Sequence, residues 1–151
     1  MPDGRQDSWV WPSAGVHLWE SGGASASRTH PRGHLVYAAR GVLSVHTERG
    51  TSIVPANRVA WTPAGFAHHH RAHGRTDMRI VFLPASLART LPAAPVVFAA
   101  TGLARELLLA LTDRARRDDR GARARLRRVL ADELRRADEE RLQLPEPRDD
   151  R

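Results

Sequence analysis

The amino-acid sequence predicts a mainly β domain, a sandwich or barrel of short strands, followed by two C-terminal α-helices. Between residues 14 and 100, short apolar segments recur at spacings of about 8–12 residues and are separated by turn residues, as in all-β sandwiches and barrels. From residue 101 the spacing of the apolar residues becomes helical. A chain of 151 residues is most simply one domain.

The predicted strands are segments in which apolar residues alternate with polar ones or form short runs. They read AGVHLWE (14–20), HLVYAA (34–39), GVLSVHTE (41–48), TSIVP (51–55), RVAWTP (58–63), AHHHRAH (67–73), MRIVFLP (78–84) and VVFAA (96–100). Proline, glycine and asparagine mark turns at 55–57, 63–65 and 74–77. Residues 1–13 are polar and contain proline and glycine, which predicts a flexible N-terminal arm, and 21–33 is predicted to be a loop.

Two amphipathic helices are predicted within residues 101–140. The apolar side of the first contains Leu103, Leu107, Leu108 and Leu111. The second is expected from about residue 119 to about residue 140, with one narrow stripe formed by Leu126, Val129, Leu130 and Leu134. Such a stripe packs either on the β domain or on its twin in a second copy of the chain. Residues 141–151 are polar and broken by proline, which predicts a linker or tail.

The composition argues against several classes of function. The chain has no cysteine, so a metal would have to be held by imidazole and carboxylate groups. It has no run of about 18 apolar residues and no N-terminal pattern of a signal peptide, so we expect no membrane span and a cytoplasmic location. Carboxylates between residues 14 and 99 are scarce, namely Glu20, Glu48 and Asp77, which counts against acid–base catalysis.

The charge balance is basic. All 24 basic residues are arginine and the net charge is +7, which can indicate binding to nucleic acid. Many of these arginines lie between residues 114 and 128, but Asp113, Asp118 and Asp119 interrupt them. Nothing in this stretch has a pattern that reads bases, so a solvated helix face is favoured over a phosphate-binding surface.

Histidines are concentrated in the segment PAGFAHHHRAH (63–73). Because side chains alternate along a strand, His68 and His70 share one face, and His69 lies on the other. If His30, His34 and His68 all face the interior of a closed β domain, three imidazoles meet there and suit Zn, Ni, Co, Cu or Fe. A polar interior without a metal is the alternative. The remaining histidines are expected to be exposed or satisfied locally.

Two of these segments resemble known motifs. The run RTHPRGH (28–34), followed after six residues by Gly41, resembles the first cupin motif, and PAGFAH (63–68) resembles the core of the second. In this resemblance His30 and His68 match motif histidines, and His34 stands where cupins usually have glutamate. Arg28 stands where they have the first histidine. Arginine has no lone pair to offer a metal, so the standard set of four ligands is broken.

The ordered set of motifs and the helices that follow it, over roughly residues 14–151, resembles the N-terminal domain of AraC-type transcriptional regulators. The resemblance implies a cupin (jelly-roll-like) β-barrel at 14–100 that binds a small-molecule or metal effector, and a helical dimerisation element at 101–140. The helix-turn-helix domain of that family is expected to be absent from this chain, so DNA would be contacted only through a domain that the chain lacks.

The resemblance also implies roles for individual residues. A divalent transition metal is expected at His30, His34 and His68. Effector contacts are expected from Arg28, Tyr37, Trp61 and His70, with Arg28 able to bind an anionic effector through two hydrogen bonds. A homodimer is expected through Leu126, Val129, Leu130 and Leu134. No catalytic residue is assigned; a stand-alone metal-dependent cupin enzyme of the dioxygenase or isomerase type, and a bare dimerisation module, remain as alternatives.

Overall fold

The computed structural model describes residues 14–137, 139–140 and 143–144, so the predicted arm at 1–13 lies outside the described residues. The strands are β1 Ala14–Trp19, β2 Gly23–Ala24, β3 His34–Arg40, β4 Leu43–Thr47, β5 Gly50–Val54, β6 Arg58–Thr62, β7 His68–Ala72, β8 Thr76–Phe82, β9 Val96–Ala99, β10 Glu139–Glu140 and β11 Gln143–Leu144. The helices are α1 Ala85–Ala88, α2 Gly102–Thr112 and α3 Arg120–Arg136.

The strands form two antiparallel sheets. The first sheet has the order β1-β8-β3-β6-β9-β10, and the second has the order β11-β5-β4-β7-β2. One apolar cluster is shared by the two sheets and includes Val36 and Ala38 of β3, Leu43 and Val45 of β4, and Met78, Ile80 and Phe82 of β8. The predicted class, a mainly β domain followed by C-terminal α-helices, is confirmed.

Helices α2 and α3 pack on the outer face of the first sheet. Their leucines, among them Leu108, Leu111 and Leu130, form a second apolar cluster with the outward side chains of β3, β6 and β8. Tyr37 and Trp61 belong to this second cluster and are fully buried in it. The prediction that they line the ligand cavity is therefore wrong, because strand alternation turns them away from the barrel interior and toward the helices.

Helices α2 and α3 each begin directly after a residue whose side chain caps the helix N-terminus. The Thr101 hydroxyl accepts a hydrogen bond from the Ala104 amide (3.1 Å) at the start of α2, and Asp119 does the same for the Ala122 amide (2.7 Å) at the start of α3. Helix α3 ends at Arg136, a few residues earlier than predicted, and β10 and β11 follow as additional short strands. The chain was also not predicted to form β2 or α1. Within the described residues, the helices are too short or too polar to cross a membrane.

The apolar stripe predicted on α3 is divided between two environments. Leu130 and Leu134 are fully buried against the barrel of the same chain, and Leu126 is partly buried beside them. Val129 points outward with 43% of its surface exposed. Leu130 and Leu134 are thus core residues within one chain, and the predicted dimer interface is wrong for these two positions.

Candidate metal centre and effector pocket

A short backbone pairing brings the first motif to the second. Arg28 and His68 form an isolated antiparallel bridge in which each amide donates to the other's carbonyl oxygen at 2.9 Å. The Gly65 amide also donates to the His30 carbonyl oxygen at 2.9 Å. Gly65 has φ +81°, a conformation that glycine adopts without strain, so the 63–65 turn can make this contact. Arg28 and His30 are thereby fixed beside the start of β7.

The third histidine of the group comes from the neighbouring sheet. His34 is the first residue of β3 and pairs with Thr62 of β6 and Phe82 of β8. Because β3 alternates, His34 shares the inward face with Val36 and Ala38, which belong to the barrel cluster. His34 and His68 are each 1% exposed, so both rings lie inside the barrel.

The structure brings His30, His34 and His68 together. One ring nitrogen from each lies within 4.8 Å of the others. The ring centroids are 5.1 Å apart for His30 and His34, 5.0 Å for His30 and His68, and 4.6 Å for His34 and His68. Among the residues that the structure describes, this is the one group of three or more potential metal ligands whose donor atoms lie close enough together to hold an ion.

The hydrogen bonds at this cluster leave nitrogen lone pairs available. His68 Nδ1 lies 3.0 Å from the Phe66 carbonyl oxygen, so this nitrogen carries the proton and Nε2 offers its lone pair to the interior. Within the described part of the chain, His68 Nε2 and both ring nitrogens of His34 are buried without a hydrogen-bond partner. Buried polar atoms without partners cost stability, and a bound cation would satisfy one nitrogen on each ring. The donor set therefore fits a divalent transition metal.

The electrostatics favour neutral imidazoles, the form that binds metals. Burial, helped by the positive charges of His68 and Arg28, lowers the pKa of His30 to about 4. Burial lowers the pKa of His34 well below its usual value, and nearby histidines add to the effect. Burial also lowers the pKa of His68, although its hydrogen bond to the Phe66 carbonyl acts in the opposite direction. At neutral pH these rings are uncharged, so they can bind a metal without first losing a proton.

His70 is a fourth imidazole near this cluster. Its ring centroid lies 5.2 Å from that of His68 and 6.1 Å from that of His34, and its buried Nε2 has no partner among the described residues. Burial, followed by the charges of His68 and Arg28, lowers its pKa to about 3. His70 shares the inward face with His68, as the alternation predicted, and it also lines a large cavity.

That cavity has a volume of about 1010 Å³, and residues of the edge strands β1 and β2 are part of its lining. Its apolar lining includes Val16, Trp19, Met78 and Ile80. The cluster side of the cavity is lined by Arg28, His30 and His70. The volume is at the upper end of the range of small-molecule sites, about 300–1,000 Å³.

The α2–α3 loop and the start of α3 supply a basic wall of this cavity. Arg114, Arg116 and Arg123 line it, together with the carboxylate residue Asp113. Arg79 of β8 donates to the Thr112 hydroxyl at 3.1 Å and so holds the end of α2 against the barrel. No sequence pattern indicated this wall, because the arginines are far from the barrel motifs along the chain and only the docking of α2 brings them to the cavity.

The other histidines of the segment lie on the outer face of the second sheet. The rings of His46 and His69 stack with centroids 4.4 Å apart. The Ser44 hydroxyl lies 2.9 Å from His46 Nε2 and 3.0 Å from His73 Nε2. His46 and His73 thus contact the Ser44 hydroxyl and His69 stacks on His46, so the three rings lie away from the barrel interior, as the alternation predicted for His69.

Comparisons with known proteins agree with this architecture. Residues 22–141 match the family of the AraC-like ligand binding domain. The chain is 29% identical over 132 residues to the HTH-type transcriptional regulator NimR of Escherichia coli K12, covering 86% of this chain and 48% of NimR. It thus spans about half the length of that relative.

Solved structures show the same fold at very low identity. A 1.65 Å structure of ToxT from Vibrio cholerae has a TM-score of 0.58 at 4% identity, covering 80% of this chain and 55% of ToxT. A ToxT structure with an unsaturated fatty acid bound has a TM-score of 0.53 at 5% identity, covering 81% of this chain and 50% of that one. From the family match, the chain belongs to the AraC-like ligand-binding domain family.

Proposed function

We propose that this chain is the effector-sensing domain of an AraC-type transcriptional regulator and that the sensed ligand includes a divalent transition metal held by His30, His34 and His68. The observation that carries the proposal is a group of three imidazoles, those of His34 and His68 buried and that of His30 partly buried, with one ring nitrogen from each within 4.8 Å of the others. Three neutral nitrogen ligands suit Zn, Ni, Co, Cu or Fe and leave at least one coordination position open. Such an ion supplies a Lewis-acidic position at which a further ligand can bind.

The residues around the cluster have distinct parts in this proposal. The Phe66 carbonyl orients His68 through Nδ1, and the Arg28–His68 bridge fixes the backbone of both motifs. Arg28 contributes no lone pair, and its positive charge weakens the binding of a cation nearby. His70 faces the open side of the cluster and is placed to contact a ligand there.

Regulation would follow from a shift between two arrangements of the same chain. A ligand that binds one arrangement of barrel and helices more tightly than the other raises its population. Arg79 and Thr112 connect β8, which lines the cavity, to the end of α2. A change in the cavity would in this way reach the helices that we propose to mediate homodimerisation through exposed side chains such as Val129.

A stand-alone metal-dependent enzyme of the cupin type is the second candidate, because an open three-histidine centre is also the apparatus of such enzymes. Among the described residues that line the cavity, the carboxylate is Asp113, which already accepts a hydrogen bond from the Ala115 amide at 2.9 Å. We therefore assign no catalytic residue. Turnover of a substrate that depends on both His30 and His68 would favour this candidate over the sensor.

Thermal unfolding in the presence of metal salts tests the sensor proposal. A ligand that binds only the folded state raises its stability in proportion to the logarithm of ligand concentration over Kd. Zn²⁺, Ni²⁺, Co²⁺ or Cu²⁺ should raise the Tm of the wild-type protein and leave the Tm of the His30→Ala/His68→Ala variant unchanged. Equal shifts in both proteins would place the metal elsewhere and contradict the proposal.

A further inference from the structure

The large cavity has an excess of positive charge. The charged residues that line it in the described part of the chain are Arg28, Arg114, Arg116, Arg123 and Asp113. Four guanidinium groups therefore face one carboxylate. A concave surface lined by one sign of charge concentrates ligands of the opposite sign, so the cavity attracts anions.

The arginines lie in two places. Arg28 is on the barrel side, bridged to His68 and beside the three-histidine cluster. Arg114 and Arg116 belong to the α2–α3 loop, and Arg123 is on α3, where its Nη2 donates to the Leu111 carbonyl oxygen at 2.8 Å. The lining also contains the apolar side chains of Val16, Met78 and Ile80. The cavity thus combines arginines from two separate parts of the fold with an apolar surface.

The two loop arginines are not equally engaged. Arg116 forms an ion pair with Asp118 in the same loop. Arg114 is exposed and has no ion-pair partner among the residues that the structure describes. Arginine binds carboxylates through paired hydrogen bonds, and such charge-assisted bonds are stronger than neutral ones. Arg114 can therefore receive an acidic group without first breaking an ion pair, and Arg116 lies two residues further along the same loop.

We propose that the cavity binds an organic dianion, a molecule with an apolar body and two acidic groups, and that Arg114 and Arg116 hold one of these groups while Arg28 and the three-histidine cluster receive the other. The inference rests on the proposed sensor function, because it names the class of effector. It also gives the α2–α3 loop a role in sensing: since the loop joins α2 to α3, a ligand held there changes the restraint on both helices.

Isothermal titration of the full chain with two eight-carbon acids tests this inference. Octanedioate carries an acidic group at each end, and octanoate has the same length with one. The wild-type protein should bind octanedioate about tenfold more tightly than octanoate. In the Arg114→Ala/Arg116→Ala variant this preference should be lost. Arg117→Ala is the matched control, because Arg117 is an exposed residue of the same loop that is not part of the cavity lining.

Two outcomes would overturn the inference. One is a wild-type protein that binds octanoate as tightly as octanedioate, or binds neither. The other is an equal loss of preference in the Arg117→Ala control, which would mean that general attraction and not the cavity wall selects the dianion. If the double alanine variant has a reduced Tm, the Arg114→Gln/Arg116→Gln variant, which keeps longer side chains, takes its place and should also lose the preference.

Each titration is run on metal-free protein and on protein with Zn²⁺ added. A preference for octanedioate without any Zn²⁺ binding would support the dianion site and contradict the metal in the proposed function. Zn²⁺ binding at the histidines with no preference for octanedioate would support the metal in the proposed function and contradict the dianion site. The failure of one proposal is therefore distinguishable from the failure of the other.

Discussion

Arg28 and His68 are joined by two backbone hydrogen bonds of 2.9 Å, although they are 40 positions apart in the chain. The bridge places a guanidinium group beside the histidine cluster, at the position where the cupin pattern has a metal-ligating histidine. The bridge holds the two motif segments together, and His30, His34 and His68 lie close to one another although arginine stands at that position.

Restoring the missing histidine should strengthen metal binding. In the Arg28→His variant a positive charge is replaced by a lone pair at a position that the Arg28–His68 bridge already fixes. We expect the Kd for Zn²⁺ to fall by at least about tenfold, which corresponds to about 1.4 kcal/mol. Competition with a chromogenic chelator measures this change. Arg28→Ala removes only the charge and should give a smaller gain; a Kd unchanged in both variants would count against a metal beside Arg28.

The metal-free protein should lose stability in acid. Burial lowers the pKa of His70 from 6.5 to about 3 and that of His30 to about 4, so between these values the unfolded chain binds more protons. Stability is therefore complete above about pH 6.5 and falls as the pH decreases toward 3. At pH 5 the loss from His70 alone is about 2 kcal/mol.

Urea unfolding at pH 7.5 and pH 5 checks this sign and size. The His70→Gln variant has no imidazole to protonate at this position, so its stability should decrease less between the two pH values than that of the wild type. Parallel decreases in the two proteins would show that His70 is not the buried group responsible.

Gly41, the glycine of the first motif, should tolerate no side chain. It has φ +83°, and a Cβ there would lie 2.5 Å from the Arg75 carbonyl oxygen. Gly65 has φ +81° but open space around it, so it serves as a control for backbone strain alone. We expect Gly65→Ala to cost about 1–2 kcal/mol of unfolding free energy and Gly41→Ala clearly more, measured by urea unfolding. Equal costs would mean that the Arg75 backbone yields easily.

The two kinds of apolar residue on α3 should respond differently to a charge. Val129→Glu changes an exposed side chain, so the monomer should remain folded while a homodimer, if formed there, dissociates. Leu130→Glu buries a charge in the cluster between α3 and the barrel and should unfold the chain. Sedimentation velocity with circular dichroism separates these effects. An unchanged dimer in Val129→Glu would place the interface elsewhere.

The alternation of strand residues explains both a success and an error of the sequence analysis. It predicted that His68 and His70 share one face, because residues two apart point the same way along a strand, and in the structure this face is the inward one. The same rule sets Tyr37 on the face opposite to His34, so the sequence already contained the reason why Tyr37 does not line the cavity. Its aromatic character suggested a ligand contact, but the helices cover that face and use the ring as core.

Other features depended on tertiary contacts that no local pattern encodes. The buried side of α3 includes Arg127, Leu130 and Leu134, whereas the apolar pattern suggested a stripe containing Val129. Arg127 can be buried because its Nε donates to the Phe82 carbonyl oxygen at 3.2 Å. In the same way, Arg114 and Arg116 reach the cavity only because α2 docks on β1 and β8. Spacing along one helix does not determine such rotations and dockings.

The most direct test of the central claim is elemental analysis of untagged protein after incubation with Zn²⁺, Ni²⁺, Co²⁺ or Cu²⁺ and removal of free metal. We expect about one ion per chain in the wild type and none in the His30→Ala/His68→Ala variant. The control His69→Ala/His73→Ala, which removes two imidazoles from the outer face of the second sheet, should keep the ion. Absence of metal from the wild type, or its loss only in the outer-face control, would contradict a metal centre in the barrel.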